Sequence, residues 1–219
     1  MNNISFILEN ELDKYLDMFE SFCPPPLTVS KGNDLLKQCE TSGWMYYLID
    51  GIAKVYVTSS LGNERIIDLM KGGTLIGMDC INLDSRSVVS IHAVTDIHVL
   101  PFNNDILRKM IHKNADFAYD LVLYYGKVLR QVTYNSGVLG ITDPLIRFAN
   151  FLYLFIDTGS YKNAGGVEMT QEEIAAAINI SRAQVTKMCR KFRQEGIIQT
   201  GSRRITILDW DKLRSYCRF

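Results

Sequence analysis

The chain has 219 residues, of which 47% are hydrophobic and 22% are charged, a composition typical of globular proteins that argues against the disordered and fibrous classes. Its 24 basic and 24 acidic side chains cancel, so the net charge alone does not indicate a polyanionic partner. The charge is unevenly placed, because residues 1–139 carry 12 basic and 16 acidic residues, whereas residues 140–219 carry 12 and 8. Two halves of opposite sign predict two domains with different partners.

The amino-terminal segment and the cysteines favour a cytoplasmic protein. The first residues lack the basic and apolar regions of a signal peptide, and the most apolar stretch, residues 145–156, is too short to span a bilayer. The five cysteines are scattered and include no C-x-x-C pair, which favours free thiols in a reducing compartment over disulfides or a zinc site. We therefore expect a cytoplasmic location, no membrane association and no metal site.

Residues 9–102 predict a short helix followed by antiparallel β-structure. Apolar side chains recur at helical spacing over residues 9–22, and the prolines that follow end this helix. From residue 27 to residue 102, short apolar runs alternate with turn residues about every ten residues, which predicts an antiparallel sandwich or roll. The Asp50-Gly51 pair between two such runs predicts a β-hairpin.

Two helices are expected next, a short one over residues 103–111 and a long one over residues 115–137. Apolar residues in the long helix recur at alternating spacings of four and three, which is typical of the seam between two supercoiled helices. Two interpretations are open, because the stripe can pack on the sheet of its own domain or on a second copy of the chain. The dimer interpretation predicts an interface formed by Phe117, Leu121, Tyr124, Val128 and Val132.

The carboxyl-terminal part predicts a winged helix-turn-helix. A glycine-containing joint at residues 137–142 precedes Asp143-Pro144, a typical start for the helix expected over residues 145–156. Farther along, Thr170 with Glu173 and Ser181 with Gln184 have the spacing of two capping boxes, so each pair predicts the start of a helix. Two short apolar runs around residues 201–204 then predict a β-hairpin with a basic tip.

The charges of this segment favour DNA binding over a merely solvated helix face. Residues 181–204 contain seven basic residues and one acidic residue, and the second helix of such a motif lies in the major groove. Arginine and lysine suit guanine and phosphate, and glutamine suits adenine. A single motif reads few base pairs, so we expect a homodimer on an inverted-repeat operator in double-stranded DNA. The candidate DNA-binding residues are Thr170, Ser181, Arg182, Ala183, Gln184, Thr186, Lys187, Arg190, Arg203 and Arg204.

These features resemble the Crp/Fnr family of bacterial transcription regulators over nearly the whole chain. ISRAQVTKMCRKF is similar to the recognition-helix pattern S-R-x-x-V-x-(R/K) of that family, and YYLIDGIAKVYVTSSLGNERIIDLMKGGTLIGMD is similar to its roll. The resemblance implies an α+β fold with an effector-sensing, antiparallel double-stranded β-roll of the cupin-like jelly-roll type over residues 1–114. It further implies a dimerisation helix and hinge over residues 115–139, and a winged helix-turn-helix over residues 140–219 that recruits RNA polymerase.

The resemblance also places base-reading positions and an effector site. Arg182, Ala183, Thr186 and Lys187 fall where the family reads bases, but many members have glutamate in place of Ala183, so the usual family half-site is not expected. An unidentified small effector is expected between the roll and the long helix. The candidate effector-binding residues are Gly77, Met78, Arg86, Ser87, Tyr124, Tyr125, Thr133 and Tyr134.

Three kinds of effector known in the family are not expected for this chain. Members that bind cyclic nucleotides carry glutamate after the loop glycine and an Arg-Ser pair for the phosphate, whereas here Met78 follows Gly77 and the Arg86-Ser87 pair is displaced by one residue. Cys23 and Cys39 are too few and too far apart for an iron–sulfur cluster. His92 and His98 are interpreted as ordinary strand residues, so no haem is expected.

Other functions are weaker alternatives. A cupin-type enzyme requires a His-x-His motif, which the three histidines of this chain do not form, so we expect no enzyme activity. A ligand-binding module that acts on a protein partner would not require the basic helix-turn-helix. A DNA-binding regulator that acts without an effector stays open.

Overall fold

The computed structural model describes residues 7–62, 64–81, 86–141, 143–156 and 166–218. The chain divides into two compact units. We call Ile7–Val128 the β-roll unit and the part from Leu129 onward the helix-turn-helix unit. The long helix crosses the boundary between them.

The β-roll unit consists of two sheets that enclose one hydrophobic core. One sheet has the strand order β1-β6-β5-β8-β3 and the other has the order β2-β9-β4-β7, and only the pairing of β1 with β6 is parallel. This arrangement confirms the predicted antiparallel roll. The strands are β1 Ile7–Leu8, β2 Leu27–Val29, β3 Asp34–Leu36, β4 Met45–Asp50, β5 Ile52–Thr58, β6 Glu64–Lys71, β7 Thr74–Ile76, β8 Ser90–Ala93 and β9 Ile97–Phe102.

Three helices accompany the strands of the β-roll unit. Helix α1 covers Leu16–Phe22, α2 covers Asn104–Lys113 and α3 covers Ala115–Ile141. Asn103 caps α2, because its side-chain oxygen accepts a hydrogen bond from the backbone N–H of Ile106 at 3.0 Å. Helix α3 is longer than predicted, since it continues through residues 137–141 of the expected joint, and Thr142 lies outside the described residues.

The hairpin predicted at Asp50-Gly51 is wrong. Strand β4 pairs with β7 and β9, whereas β5 pairs with β6 and β8, so the turn carries the chain from one sheet to the other. Gly51 does adopt a positive φ of 87°, and a Cβ at this position would lie 2.3 Å from the carbonyl oxygen of Asp96. The dipeptide therefore predicted the local turn correctly but not the partner strand.

An aromatic cluster at the centre of the roll joins α1 and α3 to the sheets. The ring of Phe19 stacks on Tyr47 with a centroid distance of 4.4 Å and contacts Phe117 edge-on at 5.7 Å. At its edge, the hydroxyl of Tyr15 donates to Asp120 Oδ2 at 2.6 Å. Helix α3 is thus bound to the roll by both apolar and polar contacts.

The predicted dimer seam lies instead in the core of the β-roll unit. Phe117, Leu121 and Tyr124 are 0%, 8% and 2% exposed, and Val128 packs against the same core. The Tyr124 hydroxyl donates to the carbonyl oxygen of Leu75 and accepts from its N–H, both at 3.2 Å. Assigning Phe117, Leu121 and Tyr124 to a dimer interface is therefore wrong, because the roll already buries them, whereas Val128 is half-buried. Among the α3 side chains that the structure describes, up to Thr133, the exposed large apolar residues are Tyr119, Val122, Leu123, Leu129 and, from the predicted seam, Val132.

Within residues 143–156 and 166–218, the helix-turn-helix unit contains a small three-stranded sheet and four helices, each shorter than α3. The order of the sheet is β10-β12-β11, and neither β10 nor the last helix was predicted. Within the described residues, no helix has the length and apolar character needed to cross a bilayer. The elements are α4 Pro144–Ile156, β10 Gly166–Val167, α5 Gln171–Ile178, α6 Arg182–Gln194, β11 Ile198–Thr200, β12 Ile205–Ile207 and α7 Trp210–Tyr216.

The core of this unit is also aromatic. Phe192 of α6 contacts Phe148 of α4 at 5.6 Å and Tyr216 of α7 at 5.0 Å between ring centroids. The buried amide of Asn150 donates to the carbonyl oxygen of Arg218 at 2.9 Å and accepts from its N–H at 3.0 Å. Helix α4 thereby holds both α6 and the carboxyl-terminal segment in place.

We predict that Tyr124→Phe destabilises the β-roll unit by about 1–2 kcal/mol, because the buried backbone groups of Leu75 lose a hydrogen-bond partner. Urea unfolding measures this change. The matched control is Ser60→Ala, which removes a hydroxyl from an exposed turn of the same unit and should leave the midpoint unchanged. Equal stability of both variants would contradict the structural role of Tyr124.

Candidate nucleic-acid interface

Helix α5 begins with the predicted capping box. The N–H of Glu173 donates to Thr170 Oγ1 at 3.1 Å, and the N–H of Thr170 donates to Glu173 Oε2 at 2.6 Å. The Thr170 hydroxyl also donates to Glu173 Oε2 at 2.8 Å. These bonds satisfy amide groups that the first helical turn leaves without partners. Thr170, a predicted DNA-binding residue, therefore has its hydroxyl committed to the cap.

Helix α6 begins with the second capping box. The N–H of Gln184 donates to Ser181 Oγ at 3.2 Å, and the N–H of Ser181 donates to Gln184 Oε1 at 2.9 Å. Since Gln184 uses its side-chain oxygen here, only its amide NH₂ is left to face a ligand. Asn179, with a φ of 52°, makes the turn between the two helices.

A polar contact and a buried apolar set fix α6 against α5. The hydroxyl of Thr186 donates to Gln171 Oε1 at 2.6 Å. This role of Gln171 was not predicted, because no local pattern links residues 15 positions apart. Val185 and Phe192 are 0% exposed on α6, and Ile174 is 0% exposed on α5. The angle of α6 is thus set by contacts on its buried side.

Three cations of α6 are exposed, and two of them lie on the side opposite this buried set. Arg182, Lys187 and Arg190 are exposed, and within the described residues none of them forms an ion pair. Helical periodicity places Lys187 and Arg190 on the same face as the exposed methyl group of Ala183. This face therefore presents positive charge that no described acidic side chain neutralises.

The four other basic residues of the segment have partners within the unit. Lys191 lies 4.0 Å from Glu195, and Arg193 donates to Thr200 Oγ1 at 3.0 Å. On the wing, Arg203 lies 3.7 Å from Glu173 and Arg204 lies 3.7 Å from Glu168. The seven basic residues counted in the sequence therefore divide into three unpaired cations and four paired ones.

The wing itself is present between β11 and β12. The N–H of Gly201 donates to the carbonyl oxygen of Arg204 at 2.7 Å and closes the turn. Arg203 and Arg204 are both exposed at this turn. The structure thus brings the wing arginines beside the acidic residues of the α5 cap and of the segment before it.

The predicted effector residues fall into separate groups. Gly77 has a φ of 75° and opens a 3-10 turn, Met78–Cys80, whose Asp79 contacts the buried Ser87. Arg86 is exposed. Six of the candidate effector-binding residues belong to the β-roll unit, namely Gly77, Met78, Arg86, Ser87, Tyr124 and Tyr125. The other two, Thr133 and Tyr134, belong to the helix-turn-helix unit.

The prediction that Tyr124 and Tyr125 contact the effector requires a correction. Tyr124 is 2% exposed, and its hydroxyl is bonded to Leu75, so it is a core residue and not a ligand contact. Tyr125 packs edge-on against it at 5.1 Å, and burial raises the pKa of both phenols. Thr133 is exposed, and the side chain of Tyr134 lies outside the described residues.

Metal and thiol chemistry have little support in the described part of the chain. No group of three His, Cys, Asp or Glu side chains clusters there as metal ligands. His92 Nδ1 lies 2.7 Å from Asp34 Oδ1, and His98 Nδ1 lies 2.6 Å from Asp50 Oδ1. Burial raises the pKa of the Cys189 thiol in α6 to about 11, so this thiol is protonated at neutral pH.

Comparisons with known proteins match both units. Residues 26–114 match a cyclic nucleotide-binding domain, and residues 146–216 match a Crp-like helix-turn-helix domain. The chain belongs to the Crp/Fnr family of transcription regulators. This result confirms the resemblance found in the sequence.

Individual Crp/Fnr relatives are similar over most of their length. A CRP-like cAMP-activated global transcriptional regulator of Mycobacterium tuberculosis is 23% identical over 197 residues, which is 88% of each chain. The cAMP-activated global transcriptional regulator CRP of Escherichia coli is 22% identical over 201 residues, which is 90% of this chain and 95% of that one. A CooA mutant from Carboxydothermus hydrogenoformans superposes with a TM-score of 0.79 at 18% identity, covering 95% of this chain and 99% of that one.

The Crp/Fnr assignment gives the capped helix pair its function. The family consists of DNA-binding transcription regulators, and α5, α6 and the wing lie within residues 146–216, which match the Crp-like helix-turn-helix domain. The unpaired cations therefore lie on the helix that such a motif presents to the major groove.

We predict that Ser181→Ala lowers the stability of the helix-turn-helix unit by about 1 kcal/mol, because the first turn of α6 loses its side-chain cap. Urea unfolding followed by circular dichroism measures this loss. Ser202→Ala, at an exposed position of the wing, is the matched control and should be neutral. A neutral Ser181 variant would show that the cap does not stabilise α6.

Proposed function

We propose that two copies of this chain bind an inverted-repeat operator in double-stranded DNA and regulate transcription under the control of a small effector. The observation that carries this proposal is the unpaired cationic face of α6, held outward by two capping boxes and a buried apolar side. A solvated surface helix would not require such rigid placement. Because α6 is fixed before it meets DNA, little ordering is needed when it binds.

Individual residues take distinct roles in this proposal. Arg182 and Lys187 near the amino end of α6 read base edges or phosphates in the major groove, and Arg190 contacts the backbone. The Ala183 methyl group suits the methyl group of thymine. Gln184 offers only its NH₂, while Thr170, Ser181 and Thr186 position the helix through the bonds described above.

We place the dimer interface on the exposed face of α3. Tyr119, Val122 and Leu129 are 65%, 69% and 67% exposed, and they recur at helical spacing on the side opposite the buried stripe. Gly126 lies between them, and a Cβ at this position would meet no atom within 4 Å. A glycine inside a helix costs about 1 kcal/mol relative to alanine, and here it leaves room for a second helix to approach closely.

We place the effector site in the β-roll unit, because residues 26–114 of this unit match a cyclic nucleotide-binding domain. Several relatives are named as cAMP-activated, but the chain has Met78 after Gly77, and Arg86 is exposed. The effector must bind the DNA-competent arrangement more tightly than the other arrangement in order to act as a switch. We further propose that the bound dimer recruits RNA polymerase and that it acts in the cytoplasm. In this proposal the chain itself catalyses no reaction.

We predict that the double variant Arg182→Ala with Lys187→Ala loses about tenfold or more in operator affinity per side chain, because each base contact contributes about 1–3 kcal/mol. The measurement is a gel shift with a duplex that the wild-type protein selects from a random library.

The matched control for this experiment is Lys109→Ala with Lys113→Ala on α2, which removes the same charge from exposed positions in the other unit. This control should retain affinity. The reader role of α6 fails if the two double variants bind equally well, or if wild-type protein selects no duplex.

We predict that Val122→Glu converts the dimer to a monomer without unfolding it, because the new charge enters an interface but not a core. Sedimentation velocity measures the mass, and circular dichroism measures the folded state. Leu61→Glu is the matched control, since Leu61 is 86% exposed on a turn of the roll and its substitution should leave the mass unchanged.

Leu121→Glu distinguishes the two faces of α3. Leu121 is 8% exposed in the roll core, so its substitution should unfold the β-roll unit. If Leu121→Glu gave a folded monomer and Val122→Glu left the dimer intact, the dimer interface would be the stripe that contains Leu121 and not the exposed face.

A further inference from the structure

In the β-roll unit, the carboxylate of Asp79 accepts hydrogen bonds from two neighbouring donors. The Ser87 hydroxyl donates to Asp79 Oδ2 at 2.7 Å, and the backbone N–H of Val88 donates to the same oxygen at 2.8 Å. The hydroxyl shares its proton with the carbonyl oxygen of Val89, which lies 2.8 Å away. Ser87 is 2% exposed. Two donors that converge on one anionic oxygen form an oxyanion site, and such charge-assisted bonds are stronger than neutral ones.

Bonds on both sides fix these donors independently of Asp79. The N–H of Ser87 donates to the carbonyl oxygen of Glu40 at 2.8 Å, and the carbonyl oxygen of Ser87 accepts from the N–H of Cys39 at 2.7 Å. The N–H of Val89 donates to Ser87 Oγ at 3.3 Å. The donors therefore keep their places when the carboxylate is removed.

Asp79 lies on a turn that is separate from the segment carrying the two donors. Gly77, in the left-handed conformation, opens the 3-10 turn Met78–Cys80, and the N–H of Cys80 donates to the carbonyl oxygen of Gly77 at 3.0 Å. Arg86 forms no ion pair within the described residues, so it does not neutralise Asp79. A second anion at Ser87 would meet both an occupied donor pair and a like charge.

We propose that Ser87 and Val88 form an oxyanion site that Asp79 fills, and that Asp79 thereby excludes phosphate-bearing ligands, including cyclic nucleotides. This inference rests on the proposed location of the effector site in the β-roll unit. It makes Asp79 a specificity-determining residue, because the tethered carboxylate is always present at the donors. The effector of this chain consequently binds without placing a phosphate on Ser87.

The experiment titrates full-length protein with inorganic phosphate and, separately, with cyclic AMP by isothermal calorimetry at constant ionic strength. Wild-type protein should bind neither ligand measurably. Asp79→Ala frees the N–H of Val88, leaves the Ser87 hydroxyl with only the Val89 carbonyl as a described competing acceptor, and removes the charge. It should therefore bind both ligands at least tenfold more tightly than wild type. Asp79→Ala combined with Ser87→Ala lacks the hydroxyl donor and should lose this gain.

A second variant covers the case in which Asp79→Ala fails to fold. Asp79→Asn keeps an acceptor oxygen for both donors and removes only the charge, so it should fold and bind phosphate more tightly than wild type. The proposal is overturned if wild-type protein binds either ligand as tightly as Asp79→Ala, or if no folded Asp79 variant gains binding. Operator binding is measured separately, so these outcomes do not depend on the DNA-binding role.

Discussion

The inner face of α3 is buried in the β-roll, and the arrangement of the functional surfaces depends on this packing. Phe117 lies against Phe19, and the hydroxyl of Tyr124 is bonded to both backbone groups of Leu75. A helix face that packs in one core is not available to a partner. The apolar residues on the other side of α3 are therefore left as the surface on which a second copy can dock, and Tyr124 is removed from the set of ligand contacts.

Elements that depend on neighbours in the sequence were predicted well. Both capping boxes form with the predicted partners, because each joins residues only three positions apart. The roll and α4 were likewise visible in alternating and helical patterns. Prediction failed where the deciding contact is distant in sequence. Asp50-Gly51 has the turn geometry of a hairpin, yet the strands it joins pair in different sheets. The apolar stripe of α3 was also compatible with two packing partners, and only the folded roll shows which of them covers it.

The candidate sites show the same division between local and distant information. Arg182 and Lys187 could be identified from the recognition-helix pattern, but the ion pairs of Arg203 and Arg204 required the folded unit. The bond between Asp79 and Ser87 crosses eight positions and the segment 82–85, which lies outside the described residues. A residue pattern can report that a family motif is displaced, whereas the structure identifies the group that has taken its place.

The paired arginines of the wing have a consequence for how the proposed complex would respond to ionic strength. Arg203 and Arg204 each already face a carboxylate, so meeting a DNA phosphate exchanges one anion for another. Each such contact still releases condensed counterions from DNA, but the freed carboxylate takes up cations from solution, so the net release is smaller than for an unpaired cation. The net number released determines how steeply affinity falls as salt is added. The steepness for this protein would then be determined by α6, and the wing would contribute mainly to the orientation of the bound unit.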